Sequence, residues 1–238
     1  MRPEPVEGPP RSAVPLIGLA HGSRHAAGAD AIERLMAALD APDHPARHAF
    51  LDLAAPDLDT VVAELAAAGH HRAVVVPLLF TVAFHATVDV PQAVHAAAQS
   101  AGIELEVADI LGTGDDIAAL LLAALADARV SPEASVLLYA VGSSNPAANL
   151  AVVELAARLE RRRSARVRAA FATCAPRPAE VLEQLPEPAA ILPLFLADGL
   201  LLDPARTLAA SRDWTLVEPL GERAAPIVLE RYRSALHE

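Results

Sequence analysis

The sequence predicts an α/β protein built from two tandem lobes, each a four-stranded parallel sheet with helices on both faces. Short apolar segments alternate with longer segments that have helical periodicity, as in β-α-β units with right-handed crossovers. The order of these segments repeats once along the chain. Residues 19–23 (LAHGS) match residues 139–143 (YAVGS), and residues 76–80 (VPLLF) match residues 192–196 (LPLFL).

The first lobe is predicted to cover residues 15–130 and to carry a metal site. Its third strand is apolar throughout, as expected for a strand buried on both faces of a parallel sheet. Pro and Gly residues mark the predicted starts and ends of several helices. The predicted strands cover residues 16–20, 46–53, 72–80 and 103–108, and the predicted helices cover residues 26–39, 57–68, 91–102 and 115–128.

The second lobe is predicted to cover residues 131–238 and to be a degenerate copy of the first. Residues 1–14 are rich in Pro and Glu, so we expect them to form a disordered extension. The predicted strands of the second lobe cover residues 135–141, 166–172, 189–196 and 214–217, and helices are predicted for residues 146–163, 181–185, from 203 onwards, and 222–236.

Three polar residues distinguish the first lobe from the second. In the second copy His21 becomes Val141, Asp52 becomes Thr173 and His85 becomes Leu201. The second copy is predicted to fold without these polar groups, so the fold does not require them. We therefore expect all three to act together at a site.

The three residues follow the first three strands of the first sheet. Neighbouring strands lie about 4.8 Å apart, so side chains at their carboxyl ends can converge on one atom. Two imidazoles and a carboxylate suit Fe²⁺, Co²⁺, Ni²⁺ or Zn²⁺. Because a closed structural site uses four protein ligands, two or three ligands favour a metal that is bound loosely and passed on.

The same residues resemble the class II chelatases, specifically the sirohydrochlorin chelatase family in its long form with two fused copies. The resemblance covers residues 15–236. It is carried by the motifs Ala20-His21-Gly22-Ser23-Arg24, Phe50-Leu51-Asp52, Pro77-Leu78-Leu79-Phe80, His85 and Asp89-Val90-Pro91. Asp52 replaces the glutamate of the family, and Ala83 replaces a glycine that usually precedes the second histidine by two residues.

The resemblance implies insertion of a divalent metal, Fe²⁺ or Co²⁺, into sirohydrochlorin during siroheme or cobalamin synthesis. His21 and His85 would hold the ion and accept the pyrrole protons, since neutral imidazoles can do either near pH 7. Asp52 would bind the ion or orient a histidine. The metal would be a co-substrate, with no permanently bound cofactor.

Other residues are predicted to bind the tetrapyrrole between the lobes. Backbone N–H groups at helix N-termini attract anions, so the Gly-Ser turns are candidates for the substrate carboxylates. The expected carboxylate ligands are Gly22, Ser23, Arg24 and Ser143 with its neighbour Gly142, and the expected apolar walls are Phe84, Leu200 and Leu201. The second lobe would replace a partner subunit, so we expect a monomer.

Composition limits the other functions. The net charge of −11 opposes binding to nucleic acids and anionic membranes, and no apolar run reaches the ~20 residues of a membrane helix. All nineteen basic residues are Arg, which excludes P-loop and Schiff-base chemistry. The single cysteine, Cys174, is consistent with a reducing cytoplasm.

Two alternative functions have specific sequence requirements. A non-catalytic carrier of metal or tetrapyrrole would use the same ligands as a chelatase. A histidine phosphatase-like enzyme would need an arginine directly before His21, where this chain has Ala20.

Overall fold

The computed structural model describes residues 13–23, 25–82, 89–187 and 189–237. It contains two four-stranded parallel sheets with helices, as predicted. Arg24, Phe84 and His85, which we predicted to belong to the site, lie outside the described residues. Among the helices of the described residues, none has the length and apolar character needed to cross a bilayer.

The secondary structure follows the predicted order in both halves. The first half contains β1 (Leu16–Ala20), α1 (Ala26–Ala37), β2 (Ala46–Phe50), α2 (Leu58–Ala67), β3 (Arg72–Pro77), α3 (Val90–Ala101), β4 (Glu104–Val107) and α4 (Asp115–Asp127). The second half contains β5 (Ser135–Ala140), α5 (Pro146–Arg161), β6 (Val167–Phe171), α6 (Pro178–Val181), β7 (Ala189–Pro193), α7 (Asp203–Arg212), β8 (Thr215–Leu216) and α8 (Ala225–Ala235). Short 3-10 helices cover Leu182–Gln184, Leu200–Leu202 and Gly221–Ala224.

Three strands end earlier than predicted. β2, β3 and β7 stop at Phe50, Pro77 and Pro193, whereas the apolar segments continue for about three more residues. Most of these apolar residues line a cavity beyond the strand ends. Apolar character alone therefore could not place the strand ends.

The strand order is the same in both sheets: β2-β1-β3-β4 in the first and β6-β5-β7-β8 in the second. The order reverses between β1 and β3, and again between β5 and β7. In open parallel sheets, ligands bind beyond the carboxyl ends of the strands at this point of reversal. Both sheets therefore provide the same type of binding edge.

The helices divide into outer and inner groups. α2 and α3 cover the outer face of the first sheet, and α6 and α7 cover the outer face of the second. α1, α4, α5 and α8 share one continuous apolar core with the inner faces of both sheets. The two halves are therefore joined through a common core.

The last helix connects the end of the chain to the first half. α8 packs against β3, and Arg231 on α8 forms an ion pair with Asp116 on α4 (2.5 Å). Tyr232 donates a hydrogen bond to the carbonyl of Val14 (2.6 Å), which also packs against the core. Val14 therefore belongs to the packed structure and not to the predicted extension; residues 1–12 lie outside the description.

Candidate functional site

The main cavity lies between the carboxyl edges of the two sheets and has a volume of about 820 Å³. The ends of β1, β2 and β3 contribute one side, and the ends of β5, β6 and β7 contribute the other. Most of its wall is apolar. A cavity of this size and character suits a large, mainly hydrophobic ligand with a few polar anchoring groups.

His21 projects from the end of β1 and lines this cavity, where it is half-buried. Its carbonyl accepts a hydrogen bond from the N–H of Asp52 (3.0 Å). The following residue, Gly22, has φ +100°, and a Cβ at this position would lie 1.8 Å from the Asp52 carbonyl oxygen. Glycine is therefore required after His21, because any side chain would push the β1 and β2 loops apart.

Asp52 lies next to His21 through its backbone, but its side chain does not line the cavity. The side chain is exposed, and its Oδ1 accepts the N–H of Leu53 (2.7 Å). Leu53, with φ 62°, lines the cavity instead. This arrangement favours a role for Asp52 beside the site and gives less support to direct metal ligation.

The second lobe repeats this backbone arrangement without the imidazole. The N–H of Thr173 donates to the carbonyl of Val141 (2.9 Å), as that of Asp52 donates to His21. Gly142 has φ +88°, matching Gly22. The structure thus confirms the predicted pairing of these residues, and Val141 presents an apolar side chain to the cavity.

Ser143 also lines the cavity, but its backbone N–H is already used inside the protein. It donates to Oδ1 of Asn149 (2.8 Å), and Nδ2 of Asn149 donates back to the Ser143 carbonyl (2.8 Å). The Ser143 N–H therefore has a partner inside the protein, and the assignment of Ser143 to a substrate carboxylate stays a prediction. Ala29 stands at the position that matches Asn149, so the Gly22–Ser23 turn has no such side-chain acceptor.

Asn149 is a residue that sequence reasoning missed. A polar residue six positions after a Gly-Ser turn, in a helix that is otherwise apolar on that side, is the signal that could have identified it.

Two matching contacts join the lobes at the rim of the cavity. Nδ2 of Asn145, at the start of α5, donates to the carbonyl of Val82 (3.1 Å). On the opposite side Gly28 of α1 approaches the second lobe so closely that a Cβ would lie 2.9 Å from the Asp198 carbonyl oxygen. In each case the start of a helix in one lobe contacts the loop after the third strand of the other.

The described polar groups of the cavity wall include one imidazole, that of His21, and one carboxylate, that of Asp198. Asp198 forms an ion pair with Arg206 (2.5 Å). Within the described ranges, no three His, Cys, Asp or Glu side chains come together as a metal site. The predicted walls Leu200 and Leu201 do line the cavity.

Solved structures with the same fold include two of SirB and one of CbiX. The sirohydrochlorin chelatase SirB from Bacillus subtilis subspecies spizizenii in complex with cobalt is 23% identical, with a TM-score of 0.76 over 94% of this chain and 95% of that one. SirB from Bacillus subtilis with Fe³⁺ is 23% identical, with a TM-score of 0.70 over 94% of each chain. The structure of CbiX, described as the terminal enzyme of siroheme biosynthesis in denitrifying bacteria, is 24% identical, with a TM-score of 0.72 over 92% and 98%.

Comparison with curated proteins gives no match. A family model, CbiX, matches twice, over residues 15–128 and 135–233. These two matches cover most of the chain and are separated by residues 129–134. The chain therefore belongs to the CbiX family.

Proposed function

We propose that this protein is a sirohydrochlorin chelatase that inserts a divalent metal, Fe²⁺ or Co²⁺, into its tetrapyrrole substrate. The observation that carries this proposal is the imidazole of His21, which faces a large apolar cavity shared by the two lobes. The matching residue of the second lobe is Val141. The related SirB structures, which contain cobalt or Fe³⁺, support a metal ion as the second substrate.

In this proposal His21 and His85 hold the incoming ion and receive the two pyrrole protons that leave as the metal enters. Neutral imidazole suits both tasks near pH 7. Asp52 lies behind the site, where its backbone N–H fixes the carbonyl of His21. Its carboxylate orients a histidine or reaches the ion through water.

The two faces of the cavity suit the two faces of a flat ring. The first lobe presents His21, and the second presents Val141, Leu200 and Leu201. An ion bound to the imidazole would then enter the ring from the first lobe. Phe84 would add a further apolar contact to the ring.

The start of α1 is the best candidate for binding substrate carboxylates. In the part of the chain that the structure describes, α1 has no side-chain cap, whereas the start of α5 is capped by Asn145. Helix N-termini bind anions through their backbone N–H groups and dipole. We therefore assign Gly22, Ser23 and Arg24 to the substrate carboxylates.

The proposal includes a monomer that acts in the cytoplasm, without nucleic acid or membrane partners. The continuous core that joins the halves supports a monomer, because one chain supplies both walls of the cavity. The metal is a co-substrate, with no resident cofactor.

The decisive experiment mixes purified protein with sirohydrochlorin and either Fe²⁺ or Co²⁺ and follows metal insertion by absorbance. We expect turnover well above the spontaneous rate. His21→Ala and His85→Ala should abolish it, whereas His95→Ala, which removes an exposed imidazole on α3, should leave it unchanged. A wild-type rate equal to the spontaneous one, with tetrapyrrole still bound, would identify a carrier and overturn the proposal.

A further inference from the structure

We propose that Tyr139 is a positioning residue for the substrate. Its hydroxyl holds the 3-10 helix Leu200–Leu202 where Leu200 and Leu201 form the apolar wall of the cavity. This inference rests on the proposed function, because that wall is assigned to contact the tetrapyrrole ring. Tyr139 itself does not line the cavity, so it acts through the wall.

The position of Tyr139 in β5 does not require a hydroxyl. The N–H of Leu194 donates to the Tyr139 carbonyl (2.8 Å), and in the first lobe the N–H of Leu78 donates to the Leu19 carbonyl (2.8 Å). Leu19 therefore occupies the same register as Tyr139. Because leucine suffices in that strand, the tyrosine hydroxyl has a purpose outside the strand.

The contacts of the Tyr139 side chain show what its hydroxyl does. Tyr139 is only 1% exposed, and its hydroxyl donates to the Leu201 carbonyl (3.0 Å). Its ring stacks on Phe195, with centroids 5.9 Å apart and planes at 16°. Burial raises the pKa of Tyr139, although Arg177 opposes this shift. The hydroxyl consequently keeps its proton and remains a donor.

The wall that Tyr139 supports is apolar yet open to the cavity. Leu200 is 65% exposed and Leu201 is 41% exposed. Exposed leucines contribute most to binding when their backbone is already fixed, because ordering a loop on binding lowers affinity. Among the described residues, the only other side-chain hydrogen bond of this loop is that of Asp198 with Arg206, and Leu202 packs in the same buried cluster as Tyr139. Tyr139 therefore fixes the part of the loop nearest to the leucines.

The test compares Tyr139→Phe with Tyr232→Phe. Tyr232 is a matched control, because it is 4% exposed and donates a similar hydrogen bond to the Val14 carbonyl (2.6 Å), away from the cavity. Thermal unfolding measures stability, and titration of metal-free sirohydrochlorin measures its Kd. Both variants should lose a similar amount of stability.

Only Tyr139→Phe should weaken substrate binding. We expect its Kd and KM to rise roughly three- to tenfold, as for the loss of a preorganised contact. Its kcat should stay within about twofold, because His21 lies on the other lobe. An unchanged Kd in Tyr139→Phe, or an equal rise in Tyr232→Phe, would overturn the inference.

A second variant, Leu201→Ala, tests the same wall without altering Tyr139. It should raise Kd by itself, and the double variant should raise Kd by less than the product of the two single effects, because both changes act on one wall. Additive effects would contradict a role of Tyr139 through Leu201. If wild-type protein does not bind sirohydrochlorin, the proposed function fails and this inference fails with it. If wild type binds and all variants bind equally well, only the inference fails.

Discussion

Replacing Gly22 with alanine should have two separately measurable effects, one on the free energy of unfolding and one on the rate of metal insertion. An alanine at φ +100° costs roughly 1–3 kcal/mol in backbone strain. Its Cβ would lie 1.8 Å from the Asp52 carbonyl oxygen, whereas ordinary contacts are 3.4 Å or longer. The loops that carry His21 and Asp52 must therefore separate by more than 1 Å.

We expect Gly22→Ala to lower the free energy of unfolding by about 3 kcal/mol, near the upper end of the effect of typical substitutions. A displacement of about 1 Å at a reacting group costs on the order of 100-fold in rate. The kcat/KM for metal insertion should therefore fall by about that factor, even where the protein is fully folded.

Gly142→Ala is the matched control in the second lobe. Gly142 has a similar φ of +88°, but a Cβ there would lie 2.7 Å from the Cys174 Sγ and 2.8 Å from the Phe171 Cβ. The backbone strain is thus similar, whereas the required displacement is about 0.7 Å, from 2.7 Å to the ordinary 3.4 Å, and occurs beside Val141. We expect about 2 kcal/mol of destabilisation and a rate within roughly fivefold of wild type.

Urea unfolding gives the two stabilities, and metal insertion at a temperature where both variants are folded gives the two rates. Equal losses of rate in Gly22→Ala and Gly142→Ala would refute the assignment of the chemistry to the first lobe. Wild-type activity in Gly22→Ala would refute the geometry of the His21 turn.

Two further predictions concern a helix-capping asparagine, Asn145, and a carboxylate, Glu160. Asn145→Asp keeps a good helix cap but removes the Nδ2–H donor to the Val82 carbonyl, so metal insertion should slow several-fold. The reverse substitution at another helix cap, Asp57→Asn, should not change the rate. Equal rates in the two variants would exclude a role for the hydrogen bond between Asn145 and Val82. The hydrogen bond from the Val167 N–H lowers the pKa of Glu160, so its carboxylate stabilises the fold above about pH 4.5, and this contribution is lost as pH falls through the lowered value. Glu160→Gln should therefore lower the urea midpoint at pH 7, and this deficit should shrink as the pH falls below 4.5. A deficit that keeps the same size at every pH down to the acid unfolding of the protein would contradict this reasoning.

The repeat made the fold predictable. Both sheets were predicted from the apolar strands, the helical periodicity and their recurrence, because buried parallel strands and amphipathic helices leave strong local patterns in a sequence. The position of α8 left no such pattern. α8 packs against β3 of the first lobe. Its periodicity shows that one face is buried but does not show which lobe covers that face.

The position of the cavity beside His21 was predictable, but the hydrogen bonds of its loops were not. The motif at His21, together with its loss at Val141, located the cavity. The orientation of Asp52 toward Leu53 and the use of the Ser143 N–H by Asn149 depend on loop geometry, which residue spacing does not encode. Tyr139 was hidden for the same reason, since in sequence it is one more apolar residue of a buried strand.

The rim contacts show how the second lobe supports the cavity, although it has no histidine at the positions that match His21 and His85. Asn145 of the second lobe holds the carbonyl of Val82, three residues before His85 along the chain. Gly28 of the first lobe packs against Asp198, just before the leucines of the wall. Each lobe thus supports the loop by which the other contributes to the cavity. The second lobe therefore supplies half of the cavity wall and also binds the Val82 carbonyl of the first lobe, although Val141 and Leu201 stand where the first lobe has His21 and His85.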